Sequence, residues 1–172
     1  MSNKIATAKI DTSKNDTVKI ESLSQLDHFC EEFASDLELG TIIVISGKLG
    51  AGKTTFAKHL AKHLGVQDII ISPTFTLERV YKMKLENGKV GNFIHIDAYR
   101  FGESTADIYN NLESLDLESC REKSIIVIEW GEKVLQFLDG ALVHINVIRE
   151  TGITDNQTRI LNIEYKTDRG RL

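Results

Sequence analysis

One stretch restricts what this chain can fold into more than any other. Gly47-Lys48-Leu49-Gly50-Ala51-Gly52-Lys53-Thr54 matches G-x-x-x-x-G-K-[ST], the P-loop, which must follow a buried strand and open a helix. Both neighbours are present. Residues 41–46 (Thr-Ile-Ile-Val-Ile-Ser) are almost continuously β-branched, as in a parallel strand covered on both faces. After the loop, Phe56, Ala57, Leu60, Ala61 and Leu64 recur at helical spacing, and Gly65 stands where a C-terminal cap belongs. Strand, glycine loop and helix in this order predict an α/β fold of the P-loop NTPase-like, three-layer αβα kind, with a mostly parallel central sheet.

Each residue type in the loop has a chemical reason. The backbone of Gly47, Leu49, Gly50, Ala51 and Gly52 can fold into a nest whose N–H groups converge on a phosphate, and the helix N-terminus adds partial positive charge there. Lys53 is placed to reach the β- and γ-phosphates, Thr54 to offer its hydroxyl to Mg²⁺, and Thr55 to add a further phosphate contact. The bland alternative is a glycine-rich turn with no ligand.

The chain has 172 residues, enough for one well-cored domain, expected over residues 17–166 between a flexible leader (1–16) and a short tail (167–172). The leader is rich in Lys, Ser, Thr and Asn with no apolar centre, so it does not read as a signal peptide. No apolar run approaches the roughly 20 residues of a membrane span. A net charge of −4 argues against a strongly basic nucleic-acid face. Cys30 and Cys120 lack metal-ligand neighbours and read as reduced thiols of a cytoplasmic protein.

Along the chain, residues 17–21 suggest an edge strand, and Ser22-Leu23-Ser24-Gln25 has the form of a capping box. Leu23, Leu26, Phe29, Cys30, Phe33 and Leu37 then give an amphipathic helix. After Ile69-Ile70-Ile71 and Ser72-Pro73-Thr74, alternation at Phe75, Leu77, Tyr81, Met83 and Leu85, with Asn87-Gly88 as a two-residue turn, predicts an antiparallel hairpin returning over residues 90–97. Residues 99–121 are weakly helical and acidic. Residues 124–129 form a second buried-type strand ending in Glu129, and residues 131–138 a short helix. Two final strands, 141–149 and 158–166, flank a loop holding Gly152 and Asn156.

A nucleotide-hydrolysing P-loop protein needs a carboxylate near the metal, at the end of a second buried strand. Glu129 and Asp97 both qualify by position; each could instead cap a helix or end a strand in solvent. Arg100 is placed to neutralise phosphate charge in cis, or to pair with the acidic run after it. Trp130, directly after Glu129, reads as core or as a wall of the nucleotide site. His28, His59, His63 and His144 show no metal-ligand pattern, although His59 and His63 are an i, i+4 pair.

Four motifs in order carry a more specific signal. Gly47 through Thr55, then Ser72-Pro73-Thr74-Phe75-Thr76-Leu77, then His95-Ile96-Asp97-Ala98-Tyr99-Arg100, then Val127-Ile128-Glu129-Trp130-Gly131-Glu132-Lys133 closely resemble the TsaE (YjeE) family. That resemblance implies a small Mg²⁺-dependent ATPase for threonylcarbamoyladenosine (t6A) formation at position 37 of tRNAs reading ANN codons. Its implied partners are TsaB and TsaD, using threonylcarbamoyl-adenylate made by TsaC, with tRNA touched mainly through those partners. By position, Lys53 would bind phosphate, Thr54 and Glu129 would hold Mg²⁺ with Asp97 beside it, Asp97 would be needed for hydrolysis, and Thr74 would sense the γ-phosphate. Lys48 departs from the family, which often has Asp there. A small-molecule or nucleoside kinase and a non-hydrolysing ATP-gated binding module remain open. A GTPase fits less well, because Tyr165-Lys166-Thr167-Asp168 lacks the first residue of [NT]-K-x-D.

Overall fold

The computed structural model describes residues 15–139, 142–150 and 157–166; the leader to residue 14, the tail and the loop with Gly152 and Asn156 lie outside them. In chain order the elements are β1 Asn15–Ile20, α1 Leu23–Ser35, β2 Ile42–Ser46, α2 Lys53–His63, β3 Glu78–Lys84, β4 Val90–Asp97, α3 Thr105–Ser114, α4 Leu117–Arg121, β5 Ser124–Glu129, β6 Leu142–Arg149 and β7 Arg159–Lys166. They form a mixed α/β fold around one seven-stranded sheet of order β1-β7-β6-β2-β5-β4-β3. The middle four strands, β6, β2, β5 and β4, are mutually parallel. The outer pairings β3–β4, β6–β7 and β1–β7 are antiparallel hairpin or edge pairings.

The continuous apolar runs mark the sheet's centre because both faces are covered there. Every residue of β2 and β5 is buried. Ile43, Ile45, Phe93, Ile125 and Val127 face a core shared with α1 and α2, while Ile42, Val44, Ile94, Ile96, Ile126 and Ile128 face one shared with α3. Each such side chain contributes about 1.5–3 kcal/mol on burial. Leu60 of α2 is fully buried, and truncating it to alanine would cost about 2–5 kcal/mol.

Several expected boundaries shift. β1 starts at Asn15, taking in the last two residues assigned to the leader, because they pair with Ile163 and Glu164 of β7. Ser22 caps α1 by accepting from Gln25 N–H, but the N–H that donates back to Gln25 Oε1 is that of Glu21, one residue outside the expected box. Gly65 caps α2 at φ 78°, as expected. The hairpin begins at Glu78 rather than Phe75. Pro73 opens a turn whose carbonyl accepts from Thr76 and Leu77 N–H, and this leaves Phe75 88% exposed and Leu77 at φ 65°. Residues 99–121 split where Asp116 adopts φ 46° between α3 and α4. The helix expected after Trp130 is two short 3-10 turns, Gly131–Lys133 and Leu135–Phe137, pinned by the buried Val134.

Candidate functional site

β2, β5 and β4 are adjacent and parallel, so their C-terminal ends meet at one edge, where α/β sheets bind ligands. Asp97 and Glu129 are register partners across β4 and β5, and Glu129 also lies opposite Ile45 of β2. The loop after β2 therefore turns back directly beside both carboxylates. Gly47 permits this at φ 141°: a Cβ there would stand 2.4 Å from the Val147 carbonyl oxygen of β6, so no other residue fits.

α2 opens at Lys53, and its first N–H groups have no partner within the helix. Lys53 is buried and folds back over its own loop, donating from Nζ to the carbonyls of Gly47 at 2.7 Å and Lys48 at 3.0 Å. Trp130 covers it, with Nζ 3.5 Å from the ring centroid, and Tyr99 packs on Trp130 at 5.0 Å between centroids. Trp130 adopts φ 58° to do so, which makes it a wall of this site rather than core. Burial pulls the Lys53 ammonium below the usual lysine range, while the carboxylates of Glu129, Glu132 and Asp97 oppose that shift. A phosphate would add counter-charge at an ammonium whose hydrogen-bond acceptors are carbonyls.

Beside it, Thr54 Oγ1 donates to Glu129 Oε2 at 2.7 Å. The other Glu129 oxygen accepts from His95 Nε2 at 2.7 Å, and both residues are buried. A hydroxyl and a carboxylate oxygen at this spacing are hard oxygen donors of the kind Mg²⁺ takes, with water and phosphate oxygens filling the remaining positions. Asp97 is buried too. Its Oδ2 accepts from Thr74 Oγ1 at 2.5 Å and its Oδ1 from Tyr99 N–H at 2.9 Å, while Ser72 Oγ lies 2.8 Å from Thr74 Oγ1. The 72–77 turn is thus tied to the carboxylate beside Glu129.

The other expected residues fall around this centre. Gly50 and Gly52 hold the loop at φ 75° and 113°, Leu49 is exposed, and Ala51 is buried. The Ala51 carbonyl accepts from Arg159 Nε of β7 at 2.6 Å, a contact that no motif announces. Thr55 borders an apolar cavity of about 280 Å³ that Ala51, Gly52, Leu26, Val147 and Leu161 also line. A cavity of about 300 Å³ near Ile42 and Arg121 lies at the opposite end of β2, away from this chemistry. Arg100 is exposed and makes no hydrogen bond or ion pair to a described residue, so the alternative ion pair with the acidic run is not formed. Lys48 likewise points its side chain to solvent.

Sequence reading gave His95 no role of its own, naming it only as the first residue of the third motif. The available signal was parity: residues 95, 97, 127 and 129 share the sheet face that α2 covers. His59 and His63, by contrast, meet at Asp27 Oδ1 of α1, at 2.9 and 3.0 Å, with Lys62 Nζ on the same carboxylate. Among the described residues no group of three His, Cys, Asp or Glu side chains could hold a metal.

The family model described as "Threonylcarbamoyl adenosine biosynthesis protein TsaE" matches residues 20–160. A Mycobacterium tuberculosis protein named tRNA threonylcarbamoyladenosine biosynthesis protein TsaE is 37% identical over 122 residues, 70% of each chain. A Rickettsia typhi protein of the same name is 34% identical over 146 residues, 84% of this chain and 92% of its own. The crystal structure of Bacillus subtilis YdiB shares the fold at a TM-score of 0.64, with 22% identity, covering 87% of this chain and 84% of that one. With the model spanning all four motifs and relatives matching over most of their length, this chain belongs to the TsaE family.

Proposed function

We propose that this protein is an ATP-binding, slowly ATP-hydrolysing component of the system that forms t6A at position 37 of tRNAs reading ANN codons. In this reading it is a P-loop NTPase-like, three-layer αβα domain over residues 17–166. It works in the cytoplasm with TsaB and TsaD and meets tRNA mainly through them. The relatives' shared name supports the pathway. The single observation that carries the chemistry is the Thr54–Glu129 contact of 2.7 Å beside a loop that already wraps a buried ammonium.

Each residue then has a role its geometry supports. The N–H groups of Gly47, Leu49, Gly50, Ala51 and Gly52, with those opening α2, bind phosphate oxygens, and Lys53 exchanges its two carbonyls for phosphate. Thr55 leads toward the apolar cavity, which suits the base of the nucleotide. Thr54 and Glu129 would hold Mg²⁺, with Asp97 alongside, and the ion would supply charge neutralisation for the phosphates. Asp97 serves hydrolysis, and Thr74, hydrogen-bonded to it, reports the γ-phosphate to the 72–77 turn. Arg100 swings in or is displaced by a partner to complete the charge balance, which predicts weak hydrolysis by the protein alone.

The test is turnover of labelled ATP with Mg²⁺, by the protein alone and with TsaB and TsaD, in the presence of GTP and a nucleoside panel. Slow phosphate release that rises with the partners supports the proposal. Rapid transfer to an added nucleoside would make the protein a kinase, preference for GTP a GTPase, and unstimulated silence an ATP-gated binding module.

A further inference from the structure

His95 is fully buried near the C-terminal end of β4, beside Phe93 at 6.1 Å between ring centroids. Its Nε2 donates to Glu129 Oε1, since a carboxylate only accepts, and in the neutral ring Nδ1 is then the acceptor nitrogen. Nδ1 is buried with no hydrogen-bond partner among the described residues, and so is the Nε–H of Arg79. Arg79 and His95 are register partners in the β3–β4 ladder. Directly opposed residues of an antiparallel pair lie on one face with Cβ atoms about 4.5–5.5 Å apart. A donor without an acceptor therefore faces an acceptor without a donor.

We propose that Arg79 and His95 are positioning residues for Glu129. One bridging water joins the Arg79 Nε–H to His95 Nδ1 and fixes the tautomer that donates Nε2–H to Oε1. Glu129 is thereby held with Oε2 toward Thr54, ready for the metal. Neither residue touches nucleotide or metal. This inference rests on the proposed Mg²⁺ role of Glu129, and outer partners that orient a metal-binding carboxylate typically cost 10–100-fold in metal affinity when removed.

The experiment is calorimetric binding of the non-hydrolysable ATP analogue AMP-PNP, with Mg²⁺ and with EDTA, by the purified full chain, alongside thermal melts. The wild type should bind more tightly with Mg²⁺, and Glu129→Gln should lose that gain. His95→Leu, which leaves Glu129 Oε1 buried without its donor, should melt lower than the wild type and lose about 10-fold of the Mg²⁺ gain while keeping its Mg²⁺-free affinity. His95→Gln, whose amide can still donate to Oε1, should recover most of it, and Arg79→Met should show a smaller loss in the same direction. His95→Leu with a full Mg²⁺ gain, when Glu129→Gln has lost it, overturns this inference alone, as does an equal loss of affinity with and without the metal. If His95→Leu does not fold, an undiminished gain in Arg79→Met overturns it. A wild type with no Mg²⁺ gain overturns the metal reading and this inference with it.

Discussion

Replacing Gly131 with alanine should destabilise the protein through one identifiable contact. Gly131 is buried directly after Trp130, and a Cβ there would lie 2.0 Å from Val44 Cγ1 and 3.2 Å from Val44 Cβ. Carbon atoms in contact prefer about 3.5–4.0 Å. Val44 cannot recede, because β2 is hydrogen-bonded to β5 on one side and β6 on the other. Overpacking of this kind costs about 1–3 kcal/mol. For a chain of 172 residues each kcal/mol moves the melting temperature by about 3 °C, so Gly131→Ala should melt roughly 3–9 °C lower. Thermal melts of Gly131→Ala, Val44→Ala and the double mutant isolate the contact, since Val44→Ala removes the methyl in question. The double mutant should recover at least about 1 kcal/mol relative to the summed single losses. A Gly131→Ala protein that melts with the wild type, or a double mutant that merely adds the two losses, would refute the close approach.

Three further outcomes are expected. His59, Lys62 and His63 hold the Asp27 carboxyl well below the usual carboxylate range. A carboxylate depressed in the folded state stabilises above its ordinary value near pH 4 and loses that contribution as pH falls further. In urea melts the gap between wild type and Asp27→Asn should therefore be full at neutral pH and narrow below about pH 4, whereas a gap independent of pH would contradict this. Burial pushes both thiols up, but Cys30 is wholly buried and Cys120 only half so; a thiol reagent should label Cys120 first and Cys30 only on unfolding. Asp97→Asn should cut partner-stimulated ATP turnover by about 100-fold or more while leaving AMP-PNP binding within a few-fold, and equal losses in both would remove Asp97 from the hydrolytic step.

Much of this architecture was legible because burial on two faces leaves a plain mark. The runs at 42–46 and 124–129 name the sheet's centre, and the glycine loop between β2 and α2 names the edge where the candidate site lies. The two carboxylates were legible for the same reason, as strand-terminal acids in adjacent parallel strands. What local pattern could not give was how side chains from distant segments meet. His95 carried no role in the sequence because its partner, Glu129, lies 34 residues away. Phe75 fitted the strand's alternation, yet Pro73 turns the chain there before pairing begins. The position of Trp130 over Lys53 depends on a left-handed backbone that no propensity assigns to tryptophan. Arg159 reaches Ala51 from β7, across a connection without any motif.

The most direct test of the central claim is t6A itself. In bacteria depleted of their own TsaE and carrying this gene as the sole copy, nucleosides from bulk tRNA are quantified by mass spectrometry for the wild type and for Lys53→Ala. Lys53 makes the buried contacts that hold the loop's charge, and no neighbouring side chain replaces it. The wild-type gene should restore t6A, and Lys53→Ala, present at equal abundance and folded, should leave it at the depleted level. Full t6A with Lys53→Ala would contradict nucleotide binding as the basis of this protein's function.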